Sequence, residues 1–146
     1  MTARYDYPTF LQAVARRDGP QACWGCHLQP WTRSRCLSLS AGLYDAHHFI
    51  AKQTIKREFP HGALRLSGPL EPLGRNDDPT LYQSERVVTT TELLIDPRNG
   101  VLMGRWHHDQ LEARMLRPTF DDLPAAAVAF AVELGLLHRL ERTYPA

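Results

Sequence analysis

The stretches Asp45-Ala46-His47-His48-Phe49-Ile50-Ala51-Lys52 and Asn99-Gly100-Val101-Leu102-Met103-Gly104-Arg105-Trp106-His107-His108 decide how this chain is read. Each carries an adjacent histidine pair, and an asparagine opens the second. Taken singly these features are ordinary. Adjacent histidines are common at surfaces, and Asn-Gly is usually a turn because both residues tolerate positive φ. Taken jointly they place four imidazoles, each a metal ligand or a base that titrates near neutral pH, in two short blocks.

Residues 37–51 alternate in a way that suggests a hairpin, with Leu37 and Leu39 on one face of its first strand. Successive side chains on such a hairpin point to opposite sides, so His47 and His48 would face different surroundings. Asp45, two residues before His47, would share its face. Residues 101–116 read as a helix on which Leu111, Met115 and Leu116 form an apolar face. Glu112 lies four residues after His108 and shares its side of that helix.

The remaining elements frame these two. Residues 8–17 read as a short helix with Pro8 in its first turn, Phe10, Leu11 and Val14 as its stripe, and Asp18-Gly19-Pro20 as its stop. Residues 21–36 look like a turn-rich knuckle. Residues 52–58 suit a helical turn ended by Pro60. The stretch 60–80, with Pro60, Pro69, Pro72 and Pro79, reads as a loop or insertion. Residues 81–95 fit either a strand or a helix. Residues 121–142 give the clearest helix, capped by Asp121 or Asp122, with Pro124 in the first turn and Arg139 and Arg142 near its negative end. The class expected is α+β, as a single domain over residues 1–146.

The 146 residues are 43% hydrophobic and 23% charged, ordinary values for a folded chain. No run of about 18 apolar residues is present, so no membrane span is expected. The first ten residues, MTARYDYPTF, do not read as a signal peptide, so a cytoplasmic location is expected. Net charge is +1, but residues 1–57 alone carry +5, and residues 58–120 and 121–146 carry −2 each. One end could therefore face phosphates. Uneven surface charge is also common without a nucleic-acid partner.

DAHHFIAK followed by NGVLMGRWHH resembles the two halves of the HNH nuclease motif, over roughly residues 23–112, and looks closest to small phage-encoded members of that family. The resemblance implies a ββα-metal core, a β-hairpin and a helix closed around one divalent ion. It makes His47 the first metal ligand, His48 the general base, Asn99 the motif asparagine and His108 the second ligand. Glu112 falls where some members, colicin-type nucleases among them, place a further ligand; a solvated helix glutamate is the plainer alternative. The implied activity is hydrolysis of DNA phosphodiester bonds. His48 would take a proton from water, and the ion would offset charge on the phosphorane and the leaving oxygen. The ion's identity stays open among Mg²⁺, Mn²⁺, Ni²⁺ and Zn²⁺, since the first two suit oxygen and the last two imidazole. By the same resemblance a phage terminase is a candidate partner, and the role one in genome packaging or homing. The spacing departs from the family's: His48 and Asn99 are 51 residues apart, and the 60–80 stretch looks like the insertion responsible.

Many family members also carry two CxxC knuckles around a structural Zn²⁺. Here the first is Cys23-Trp24-Gly25-Cys26, and the second would fall at Gly104 and His107. Cys36 could complete a set of Cys23, Cys26, Cys36 and His107, with His27 a weaker substitute. The alternative is a decayed site of buried free thiols. DNA contacts are expected from Lys52, Lys56 and Arg57, which follow the base histidine, and from Arg105, one turn before His108. The competing reading is a non-catalytic, zinc-stabilised DNA-binding or interaction module on the same scaffold. A thioredoxin-like redox role fits poorly, because the CxxC does not open a long amphipathic helix after a strand.

Overall fold

The strand carrying the first histidine pair, β1 (Tyr44–His48), is hydrogen-bonded to a segment that begins 52 residues after it ends. In the computed structural model, which describes residues 7–19, 22–39, 43–67 and 84–146, its antiparallel partner is β4 (Gly100–Gly104). His47 lies opposite Val101 and His48 opposite Gly100. The hairpin expected within residues 37–51 is therefore not local. Leu37 and Leu39 belong instead to a helix, α3 (Arg33–Leu39). The helix expected from residue 101 begins only at Arg105, as α6 (Arg105–Glu112), because residues 100–104 form the strand. All five residues of β4 are buried. A strand buried on both faces loses the period of two that would distinguish it from a helix start.

Between the two strands lie α4 (Lys52–Glu58), as expected, then β2 (Ala63–Ser67) and β3 (Ser84–Val88), which form a second antiparallel pair, then α5 (Thr90–Leu94). Residues 81–95, whose pattern fits either a strand or a helix, hold both. The expected loop at 60–80 already contains β2. Its prolines Pro69, Pro72 and Pro79 lie outside the described residues.

α1 (Tyr7–Asp18) covers one face of the β1–β4 pair: Phe10 and Val14, both fully buried, pack with Ala46 and Leu102. Val101 and Met103, offset by one residue from Leu102, enter a larger core with Phe49, Ile50, Leu94, Phe130 and Leu140. Burial of each such side chain stabilises the fold by roughly 1.5–3 kcal/mol. The C-terminal segment is two helices rather than one, α7 (Ala125–Leu134) and α8 (Leu137–Thr143). Gly135 adopts φ 69° at the break, a left-handed C-terminal turn that glycine enters without steric cost. Pro124 stands just before α7, and Asp122 forms a capping box with Thr119 on a preceding 3-10 turn. The mixture of helices with antiparallel strands agrees with the expected α+β class. Among the described residues no helix is long and apolar enough to cross a membrane.

Three anchors fix the turn that enters β4. Arg17 donates to the Pro97 carbonyl at 2.5 Å and to the Gly100 carbonyl at 2.6 Å. Arg98 pairs with Asp96 at 2.9 Å and with Glu133 of α7 at 3.0 Å. Asn99, 1% exposed, accepts from Ile50 N–H at 2.8 Å and donates to the Ile50 carbonyl at 2.9 Å.

Candidate metal centre and catalytic cleft

Alternation along β1 sorts its side chains as the spacing requires. Ala46 and His48 turn toward α1, where the His48 ring stacks on Phe10 with centroids 4.0 Å apart. Asp45 and His47 turn toward α6. His108 Nδ1 lies 3.2 Å from Asp45 Oδ2, and the His47 and His108 rings are 5.5 Å apart. Gly100 makes the stack possible. Its backbone is extended, so the glycine serves space rather than a positive φ, and a Cβ there would lie 2.3 Å from the Phe10 ring.

These residues line a cleft of about 580 Å³ that takes in Asp45, His47, His48, Lys52, Arg105, His108 and Glu112. Of the four expected DNA contacts, Lys52 and Arg105 are in it. Lys56 and Arg57 lie further along α4, and Arg57 Nε is 4.0 Å from Glu58. Arg105 is 3.7 Å from Asp45. Asn99 is not in the cleft; it acts on the backbone that follows His48.

Protonation follows from burial. Desolvation pushes His47 down to about 3, helped by the charges of His108 and His48. It pushes His48 down to about 4, against a hydrogen bond to the Leu94 backbone. Both rings are therefore neutral at pH 7, and each keeps a lone pair. His108 meets carboxylates at both nitrogens: Asp45 at Nδ1 and Glu112 Oε1 at 3.5 Å from Nε2. If Nδ1–H is donated to Asp45, the Nε2 lone pair stands beside Glu112. That is the carboxylate–histidine arrangement that orients metal-binding imidazoles. Asp45 and Tyr144, whose hydroxyl lies 2.8 Å from His47 Nε2, enter the site without having been assigned a direct role from sequence. Nothing local in the sequence points to Tyr144, 97 residues from His47.

The second site is tighter. Donor atoms of Cys23, Cys26, Cys36 and His107 all lie within 4.8 Å of one another, the one such group among the described residues. The cluster could hold a metal ion such as zinc, and His27 is not part of it. Cys23 and Cys36 sulfurs are 3.8 Å apart, and His107 Nδ1 is 3.4 Å from Cys23 and 3.8 Å from Cys26. A tetrahedral Zn²⁺ with Zn–S about 2.3 Å and Zn–N about 2.05 Å requires S···S near 3.8 Å and S···N near 3.6 Å. The Cys23–Cys36, Cys23–His107 and Cys26–His107 separations are close to these values.

The surroundings also set the ligand protonation. Thr32 Oγ1 donates to the Gln29 carbonyl at 2.7 Å and lies 2.6 Å from His107 Nε2. With its own proton committed, the hydroxyl accepts from Nε2–H, which leaves the Nδ1 lone pair facing the sulfurs. Gly104 N–H donates to Cys23 Sγ at 3.1 Å. Burial, then the nearby Cys23, pushes the Cys26 and Cys36 thiols up. A divalent cation reverses that cost, since coordinated thiols are deprotonated outright. Gly25 admits the His107 ring: a Cβ there would come within 2.2 Å of it.

No family model, curated protein or solved structure matches the chain.

Proposed function

We propose that this chain is a metal-dependent DNA endonuclease of the HNH type, with its ββα unit assembled from β1, β4 and α6. The single observation that carries the reading is the convergence of His47, His48, His108 and Glu112 on one cleft, on a strand pair clamped by Asn99. His47, His108 and Glu112 would hold the catalytic ion, whose chemistry is to offset charge on a scissile phosphate. Burial keeps His48 neutral, so the ring nitrogen that carries the lone pair would take a proton from the attacking water. Asp45 holds the His108 ring by its other nitrogen. Lys52 and Arg105 supply positive charge at the cleft wall. The Cys23, Cys26, Cys36 and His107 cluster would bind a structural Zn²⁺ that ties α2 (Trp24–Leu28) and α3 to the first turns of α6.

Supercoiled plasmid incubated with Mg²⁺, Mn²⁺, Ni²⁺ or Zn²⁺ tests the reading, beside EDTA and His48→Ala. Metal-dependent nicking that falls about 10²–10⁴-fold in His48→Ala is expected. Equal inertness of wild type and variant with every ion would overturn it.

One observation favours a second reading, a non-catalytic zinc-stabilised DNA-binding or interaction module. The cysteine cluster gathers its four donors tightly, whereas His47 and His108 stand with ring centroids 5.5 Å apart. That reading predicts bound zinc with no cleavage.

A further inference from the structure

α6 ends in a turn that uses an unusual residue. Arg114 has φ 60°, the only positive φ outside glycine among the described residues. Met115 N–H and Leu116 N–H both return to the Gln110 carbonyl, at 2.9 and 3.1 Å, which closes the helix end. The left-handed residue in such a turn is ordinarily Gly or Asn, because a Cβ costs energy there. An arginine held in this conformation is backbone strain of the kind that collects at functional positions.

Arg114 lies on the rim of a groove of about 810 Å³ that also takes in Arg117 and Arg142. All three side chains belong to exposed residues. None has a carboxylate partner among the described residues; Arg117 Nε donates only to the Arg114 carbonyl, at 2.8 Å. By contrast Arg17, Arg98 and Arg139 are each tied to carboxylates. The groove floor is apolar, with Leu111, Leu116 and Tyr144. At one end the groove opens onto His47 and Glu112, which it shares with the catalytic cleft.

We infer that this groove is a second part of the nucleic-acid path: the DNA strand whose phosphate sits at His47 and His108 continues over Arg114, Arg117 and Arg142. The inference rests on the nuclease reading and adds a surface that charge distribution along the sequence does not reveal, since the chain's net positive charge lies in residues 1–57. Three exposed guanidiniums without a carboxylate partner among the described residues, beside an apolar floor, suit phosphate oxygens and sugar faces. The groove's continuity with the cleft at His47 and Glu112 favours the nuclease's own substrate over an acidic polypeptide.

Fluorescence anisotropy with a duplex oligonucleotide and with poly-glutamate, no divalent ion added, tests the surface. The variants are Arg114→Gly, Arg117→Gln, Arg142→Gln and their combination. The triple variant is expected to lose on the order of tenfold in DNA affinity, and its log K against log salt slope to flatten by roughly two to three, about 0.9 per lost phosphate contact. Arg114→Gly alone is expected to hold or raise the denaturation midpoint while weakening binding, which separates a contact from a folding role. If the triple variant binds DNA as wild type does while wild type still nicks plasmid, the groove is not the path and the nuclease reading survives. If wild type neither binds nor cuts DNA, both fail together. Equal affinity for poly-glutamate and DNA would make this a general acidic-polymer surface and overturn the assignment to nucleic acid.

Discussion

Asn99 and Ile50 exchange two hydrogen bonds, side-chain amide to backbone, at 2.8 and 2.9 Å, at the point where the chain leaves the histidine pair. Asn99 also accepts Phe49 N–H on its own carbonyl at 2.9 Å. The asparagine therefore fixes the backbone of both residues that follow His48 and holds it against β4. Asn99→Ala would strand the buried Ile50 N–H and C=O at a cost of roughly 2–6 kcal/mol, the desolvation penalty of two groups. Urea denaturation at pH 7 would show this loss. Plasmid nicking is expected to fall further than the folded fraction does, because His48 loses its fixed position. Equal loss of folding and nicking would leave Asn99 a stability residue only.

The cysteine cluster makes a prediction independent of catalysis. The cluster is expected to bind one Zn²⁺, lost in a Cys23→Ser, Cys26→Ser variant, with chelation lowering the thermal midpoint. In the Co²⁺-loaded protein the visible spectrum should be that of a tetrahedral sulfur-rich site. Thr32→Val removes the acceptor of His107 Nε2–H and should weaken metal binding about 10–100-fold, the usual effect of deleting a partner that orients a metal-binding histidine. Gly25→Ala should abolish the site, because the new Cβ would overlap the His107 ring. Retention of full Zn²⁺ stoichiometry and affinity in Thr32→Val would show that the tautomer is not set by that hydroxyl.

The parts of this arrangement differ in how far sequence alone discloses them. The cysteine cluster is legible in part: Cys23 and Cys26 are three residues apart, Cys36 is the one other sulfur, and His107 stands where the family resemblance puts the second knuckle, while the choice over His27 rests on the structure. The opposed orientation of His47 and His48 followed from strand alternation. The partner of β1 did not: Gly100–Gly104 is apolar throughout, and its strand character appears only once it is seen buried on both faces. The break at Gly135 was lost within a long apolar run that reads as one helix. Thr32 and Tyr144 act across 75 and 97 residues, so no local pattern could connect them to His107 and His47. Gly25 and Gly100 are glycines because of the ring each lies against, a constraint that spacing does not express.

Burial of the histidines predicts acid sensitivity. In the folded chain His48 is pushed down to about 4 and His47 to about 3, against about 6.5 when unfolded. Above pH 6.5 both states are neutral at these rings and stability is unaffected by them. Between pH 6.5 and 4 the unfolded chain takes up protons that the folded chain refuses, so stability falls as pH falls. His48→Asn should flatten the dependence by about one proton, at most about 1.4 kcal/mol per pH unit. Urea midpoints of both proteins at pH 7 and pH 5, without added metal, provide the comparison. Parallel curves would mean that His48 is as easily protonated folded as unfolded.

Tyr144 supplies the last prediction. Its hydroxyl is 2.8 Å from His47 Nε2, and burial pushes its pKa up, so it stays protonated at neutral pH. A neutral His47 has one N–H and one lone pair. For Nδ1 to reach an ion in the cleft, Nε2 must carry the proton, and the Tyr144 oxygen is positioned to accept it. Tyr144→Phe keeps the ring, which is packed against Phe49 with centroids 6.0 Å apart, and removes only that acceptor. The ion concentration for half-maximal nicking is therefore expected to rise about 10–100-fold. Activity at saturating ion should largely recover, and the thermal midpoint should change little. A metal-activation curve that does not move would show that His47 needs no help from Tyr144. A loss of activity that saturating ion does not restore would place Tyr144 in folding of the cleft rather than in orienting the ligand.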